Sequence, residues 1–212
     1  MAPAQVRVVP ELPDCLPRWG NACSRALART LFAAWGWRVE GEFPRVPKMV
    51  TIVAPHTSNW DFPVMLALAV ALGIKATWMG KHTLFRPPYG WIMRRLGGLP
   101  INRSARHNVV EQAVESFRER ERLILAVLPE GTRKRTPYWR SGFYHIANGA
   151  RVPLILGFAD YKRKVGGIGP VFMPSGNIEA DMALIRDFYT GIVGKRPDQF
   201  GEIRVKPPAE AE

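Results

Sequence analysis

The sequence predicts an α/β domain: a central mixed β-sheet flanked by helices, with an N-terminal amphipathic helix ahead of it. Three observations carry that reading. Beyond a break at Gly41–Pro47, short apolar runs alternate with helical patterns, as in folds that pack helices on a sheet. The 212 residues suit one domain, long enough to bury a core without staples. Hydrophobic residues make up 47 % and charged residues 23 %, a globular composition that excludes a disordered chain. The expected organisation is an N-terminal segment over 1–40, the α/β domain over 41–206 and a disordered tail over 207–212.

In chain order, Pro10–Pro17 is proline-rich and reads as irregular. Arg18–Trp37 carries a helical pattern. Wound as an α-helix, Arg18, Arg25 and Arg29 share one stripe, with Leu16, Trp19, Cys23, Leu27, Ala34 and Trp37 opposite. Two readings of this basic amphipathic helix stay open. It packs on the core with its arginines in water, or it lies on anionic lipid with tryptophans at headgroup depth. Met49–Ala54 is a buried strand. Phe62–Leu72 is a helix, with Asp61 placed as its N-cap and Pro63 in its first turn. Lys75–Met79 is a strand, Pro88–Leu96 a short helix and Leu99–Asn102 a short strand. His107–Arg122 is an amphipathic helix with Val110, Val114 and Phe117 at helical spacing. Leu123–Leu128 is the clearest strand. Gly142–Asn148 is a helix with Gly149 as C-cap. Pro153–Ala159 is a strand, Gly166–Gly169 a turn and Val171–Met173 a strand. Asn177 caps a last helix running to Gly194.

Compartment signals are few. The first fifteen residues lack the apolar segment of a secretory signal. The longest uncharged apolar run, Phe62–Ile74, is too short to span a bilayer and reads as a buried helix. Cys15 and Cys23 form neither a disulfide framework nor a zinc site, and a reducing compartment is the default. Lys+Arg number 30 against 18 Asp+Glu, a net charge of +12. Such an excess points to an anionic partner: nucleic acid, an acidic membrane or a phosphorylated ligand.

Two strand ends could carry chemistry. After the first strand runs Pro55-His56-Thr57-Ser58-Asn59-Trp60-Asp61. The turn can return the Asp61 carboxylate to one imidazole nitrogen of His56 and leave the other free to take a proton. The alternative is that Asp61 only caps its helix and His56 is a loop residue. After Leu123–Leu128 comes Pro129-Glu130-Gly131-Thr132-Arg133, where Gly131 allows close backbone approach and Thr132 and Arg133 supply donors for an anion. Alone, this is also an ordinary turn. Lys75 to Arg106 holds seven Lys+Arg and no acid, and Gly131 to Ala159 holds five more and again none. Two acid-free stretches beside these loops mark a phosphate-binding surface. His56, His82, His107 and His145 show no metal-ligand spacing, so no metal is expected.

The order of these motifs resembles the glycerolipid acyltransferase family, which includes the 1-acylglycerol-3-phosphate acyltransferases. His56-x4-Asp61 is followed by Gly98-x-Pro100-x-x-Arg103, then Pro129-Glu130-Gly131-Thr132-Arg133, then Val152-Pro153 before a strand. The resemblance covers about Val50 to Phe158. Pro55, Asn59-Trp60 and Asn102 depart from common family residues. The resemblance implies an O-acyltransferase of phospholipid biosynthesis. His56 would be the general base and Asp61 its orienting partner. The acceptor hydroxyl, on a lyso-phospholipid or glycerol-phosphate-type molecule, would attack an acyl-CoA or acyl carrier protein thioester. Arg103 would bind the acceptor phosphate, and Glu130, Gly131, Thr132 and Arg133 would shape the acceptor site. No cofactor is implied. The expected location is cytoplasmic, peripheral on an anionic inner membrane face. A basic membrane-surface or nucleic-acid-binding protein without catalysis would explain the charge, but it leaves His56-x4-Asp61 unused, and no nucleic-acid-binding signature is present.

Overall fold

A computed structural model describes residues 12–101 and 106–206. In chain order its elements are α1 (Ala22–Ala34), β1 (Arg38–Glu40), β2 (Lys48–Ala54), α2 (Asp61–Leu72), β3 (Ala76–Lys81), α3 (Gly90–Arg95), β4 (Gly98–Ile101), α4 (Arg106–Glu119), β5 (Leu123–Val127), α5 (Gly142–Ala150), β6 (Leu154–Asp160), β7 (Val165–Phe172) and α6 (Ile178–Tyr189). The strands form one sheet in the order β1-β7-β6-β2-β5-β3-β4. Every neighbouring pair is parallel except β6 and β7. The sheet is therefore mixed, as the sequence predicts.

Burial on both faces explains the continuous apolar runs of the central strands. Val50, Ile52, Leu125 and Leu156 pack on one face against Phe117 of α4, Phe143 of α5 and Ile185 of α6. Met49, Ile124 and Ile155 point the other way, to Phe32 of α1 and Val64 and Leu68 of α2. The alternation along each strand is the period of two that a pleat imposes.

The connections open a crevice. From β2 the chain passes through α2 and crosses β5 to reach β3. From β5 it passes through α5, on the opposite face, and crosses β2 to reach β6. Loops leaving the adjacent strands β2 and β5 thus diverge at their carboxyl ends, where open α/β sheets bind ligands.

Several expected boundaries move. The first helix is shorter than Arg18–Trp37. Asn21 caps it by accepting from the Ser24 amide, and Trp37 is buried ahead of β1, a strand the pattern did not reveal. Its arginines are not the free face. Arg29 Nε donates to the Ala71 carbonyl at 2.8 Å, and the Arg25 side chain lies over Gly73, at the end of α2. The last carbonyls of a helix lack partners and carry partial negative charge, so cations are favoured there. Leu27 and Leu31 are instead 62 % and 60 % exposed.

Asp61 is the first helical residue and no side chain caps α2. Gly149 lies within α5, which ends at Arg151 with φ +54°. Gly166–Gly169 is strand, not turn. A Cβ at Gly167 would sit 1.9 Å from the Glu40 carbonyl oxygen, so these glycines serve close strand approach. Asn177 caps α6 as expected, accepting from the Glu179 and Ala180 amides. That helix ends at Tyr189 rather than Gly194. The tail expected over 207–212 lies outside the described residues.

Candidate active site

The loops after β2 and β5 meet at His56. Its Nδ1 lies 3.2 Å from Asp61 Oδ2, with both side chains largely buried. This is ion-pair range but off the line of a well-aligned hydrogen bond, and Nδ1 has no other acceptor. Such contacts are often loose without substrate and tighten in the reactive complex.

The carboxylate is fixed more firmly than the imidazole. Thr57 and Ser58 donate their amides to Asp61 Oδ2 at 2.7 and 2.8 Å, and the Tyr161 hydroxyl donates to Oδ1 at 2.8 Å. Burial works to raise the Asp61 pKa. The nearby His56 imidazole and the hydrogen bonds from Ser58, Tyr161 and Thr57 outweigh it and hold the carboxyl below its ordinary value. The cap-only alternative therefore fails: the carboxylate turns back onto the loop that carries His56.

Glu130 reaches the same loop from β5. Its Oε1 accepts from the His56 backbone amide at 2.6 Å, while the buried Oε2 has no partner. Burial pushes its carboxyl up to about 7. The His56 amide partly counters this, and the charge of Asp61 adds to it. The side chain faces inward, not toward open solvent.

A titration follows from this. A carboxyl with a raised folded pKa stabilises the protein fully below its unfolded value and loses that contribution as pH rises through about 7. Wild-type unfolding free energy should fall between pH 5 and pH 8 by on the order of 3 kcal/mol from this group. Glu130→Gln keeps an acceptor for the His56 amide and should flatten that slope in denaturant titrations. An equal slope in both proteins would refute the assignment.

The other expected residues divide. Gly131 has φ +65°, and a Cβ there would meet the Arg140 side chain at 2.7 Å. Thr132 Oγ1 accepts from the Lys134 amide at 3.3 Å, and the Arg133 side chain is exposed beside exposed Lys134 and Arg135. Arg103 lies outside the described residues. Among those described, no three His, Cys, Asp or Glu side chains gather as a metal site.

A family model described as Acyltransferase matches residues 37–156, more than half of the chain. The chain belongs to the acyltransferase family. The motif resemblance to the glycerolipid acyltransferases is borne out. A crystal structure of the 1-acyl-sn-glycerophosphate (LPA) acyltransferase PlsC from Thermotoga maritima is similar in fold, with a TM-score of 0.55 and 17 % identity. That similarity covers 81 % of this chain and 80 % of that one. No curated protein matches.

Around His56 and Asp61 of this acyltransferase the structure adds groups the motifs did not mark. Tyr161 lies 100 residues from Asp61. After α6 the chain returns across the site: Val193 accepts from the Tyr161 amide, Gly194 packs on Pro55 and Thr57, and the Arg196 amide donates to Thr57 Oγ1. The one sequence signal was positional, since Tyr161 immediately follows β6, which neighbours β2.

Proposed function

We propose that this acyltransferase moves a fatty acyl group from a coenzyme A or acyl carrier protein thioester to a hydroxyl of a lyso-phospholipid or glycerol-phosphate-type acceptor, with His56 as general base. The observation that carries this is the approach of His56 Nδ1 to an Asp61 carboxylate anchored by three further donors. Asp61 selects the tautomer with its proton on Nδ1 and stabilises the imidazolium as it forms. Nε2 takes the proton of the acceptor hydroxyl while that oxygen attacks the thioester carbonyl carbon. The tetrahedral intermediate collapses, the C–S bond breaks, and the departing sulfur takes the proton from Nε2. No enzyme nucleophile is needed.

Exposed Arg133, Lys134, Arg135 and Arg140 support a phosphorylated acceptor, and the family resemblance assigns phosphate binding to Arg103. The acceptor named for the Thermotoga maritima structure, 1-acyl-sn-glycerophosphate, is the one to test first.

No helix among the described residues is long and apolar enough to cross a membrane. The proposed location is peripheral, on the cytoplasmic face of an anionic bilayer. Exposed Leu27, Leu31 and Trp35 support docking through the outward face of α1. This replaces the arginine stripe, of which Arg25 and Arg29 meet the end of α2 and Arg18 pairs with Asp14, and Trp37, which is buried.

One experiment addresses activity and docking together. Purified protein receives each thioester with 1-acyl-sn-glycerophosphate in anionic vesicles, and product and co-sedimenting protein are measured. Wild type should form the diacyl product and sediment with the vesicles. Changing both Leu27 and Leu31 to Gln should release protein and spare turnover of a short, soluble acceptor. Absence of product with either thioester would overturn the acceptor and donor assignment. Unchanged sedimentation of the double variant would overturn the docking face.

A further inference from the structure

Asp61 has two carboxylate oxygens with different partners. Oδ2 faces His56 and takes the amides of Thr57 and Ser58, while Oδ1 takes the Tyr161 hydroxyl at 2.8 Å. We infer that Tyr161 is a positioning residue for acyl transfer: its hydroxyl pins Oδ1, sets the rotation of the carboxylate and tempers the basicity that Asp61 presents to His56. The inference rests on the proposed general-base role of His56.

Tyr161 is itself held from four sides. It begins the tight connection from β6 to β7, which Asp160 ties down by accepting from the amides of Lys162 and Arg163 and from Arg163 Nε. Lys164 closes the connection at φ +52°. The Trp37 ring meets the phenol edge-on with centroids 5.0 Å apart, and the Lys195 ammonium lies 5.6 Å from the ring centre on the other segment that crosses the site. The Tyr161 amide donates to Val193 at 2.9 Å. A phenol packed this closely presents its hydroxyl at one point, and that point is Asp61 Oδ1. Its own proton is held tightly, because burial and the adjacent Asp61 charge both raise its pKa, so it donates throughout the working pH range.

The charge relay is local. A hydrogen bond donated to a carboxylate withdraws negative charge from it and lowers its basicity. Removing the Tyr161 hydroxyl leaves Oδ1 buried without that donor and concentrates charge toward His56. The imidazolium is then better stabilised, and the base becomes protonated at higher pH. The other titratable groups here are Glu130, on the His56 amide, and Lys195, over the phenol ring; Tyr189 stands behind Glu130. None is removed by Tyr161→Phe, and the ring contacts with Trp37 and Lys195 survive it.

The test is Tyr161→Phe, read as a pH profile. The acid limb of kcat/KM should move to higher pH, kcat should fall about tenfold and KM for both substrates should stay within about twofold. Proton NMR of His56 should show its titration midpoint moving up relative to wild type, with or without turnover. Tyr161→3-fluorotyrosine, a stronger donor of the same shape, should move the limb and the midpoint down. Opposite shifts for the two replacements support positioning. A folded Phe variant with an unmoved limb and midpoint overturns it, leaving Tyr161 a packing residue. If the Phe variant does not fold, the fluorotyrosine protein decides by the same two readouts. Failure of wild type to transfer acyl groups would sink the proposed function, and the His56 midpoints would then decide whether Tyr161 tunes the pair.

Discussion

His56→Ala should lower kcat for acyl transfer by about 10²–10⁴-fold, the range that positioned general bases contribute. The loss should fall on kcat more than on either KM, because proton removal matters only as the hydroxyl attacks. The fold should survive. The His56 side chain, though largely buried, makes no aligned hydrogen bond, while the link to Glu130 runs through its backbone amide and persists in Ala. Steady-state rates beside a thermal melt provide the check. A folded Ala variant turning over at the wild-type rate would exclude general-base catalysis by this residue.

Asp61→Asn should cost both rate and stability. Donors reach both oxygens: the Thr57 and Ser58 amides on Oδ2 and the Tyr161 hydroxyl on Oδ1. An amide has one oxygen, so whichever way Asn turns, its NH₂ confronts a buried donor. One unsatisfied buried donor costs about 1–3 kcal/mol. The imidazolium also loses its counter-charge and His56 its tautomer, which should lower kcat on the order of 10³-fold or more. The sign of the pH effect is opposite to that of Glu130. Asp61 titrates below its ordinary value in the folded protein, so it stabilises above that value and the contribution is lost as pH falls. Acid unfolding of wild type should therefore include a contribution below pH 4 that the Asn variant lacks. Chemical denaturation from pH 3 to 7 checks this, and an Asn variant matching wild type in stability and kcat would refute the role of the carboxylate.

The central strands were legible because their residues repeat what a doubly covered sheet requires. Leu123–Leu128 and Pro153–Ala159 are apolar without a break, and both faces of β5 and β6 are buried. Gly167 misled for the same local reason that usually makes glycine a turn signal: nothing in the sequence says that Glu40, more than a hundred residues away, lies against it. The first helix misled through its arginines. Amphipathic patterning shows which residues share a stripe but not which stripe meets protein, and the carbonyl end of α2 drew Arg25 and Arg29 onto it.

The same division runs through the site. His56 and Asp61 sit five residues apart, and a single turn can bring them together, so the pair is a local property of the sequence. Glu130 stood out within its motif, but its grip on the His56 amide depends on β5 lying beside β2. Tyr161 carried no motif at all. It reaches Asp61 only because β6 is the other neighbour of β2 and runs past its end to Asp160, with Trp37 and Lys195 arriving from other segments. Local spacing therefore determined which residues could react, while strand order, set by burial of both sheet faces, decided what holds them in place.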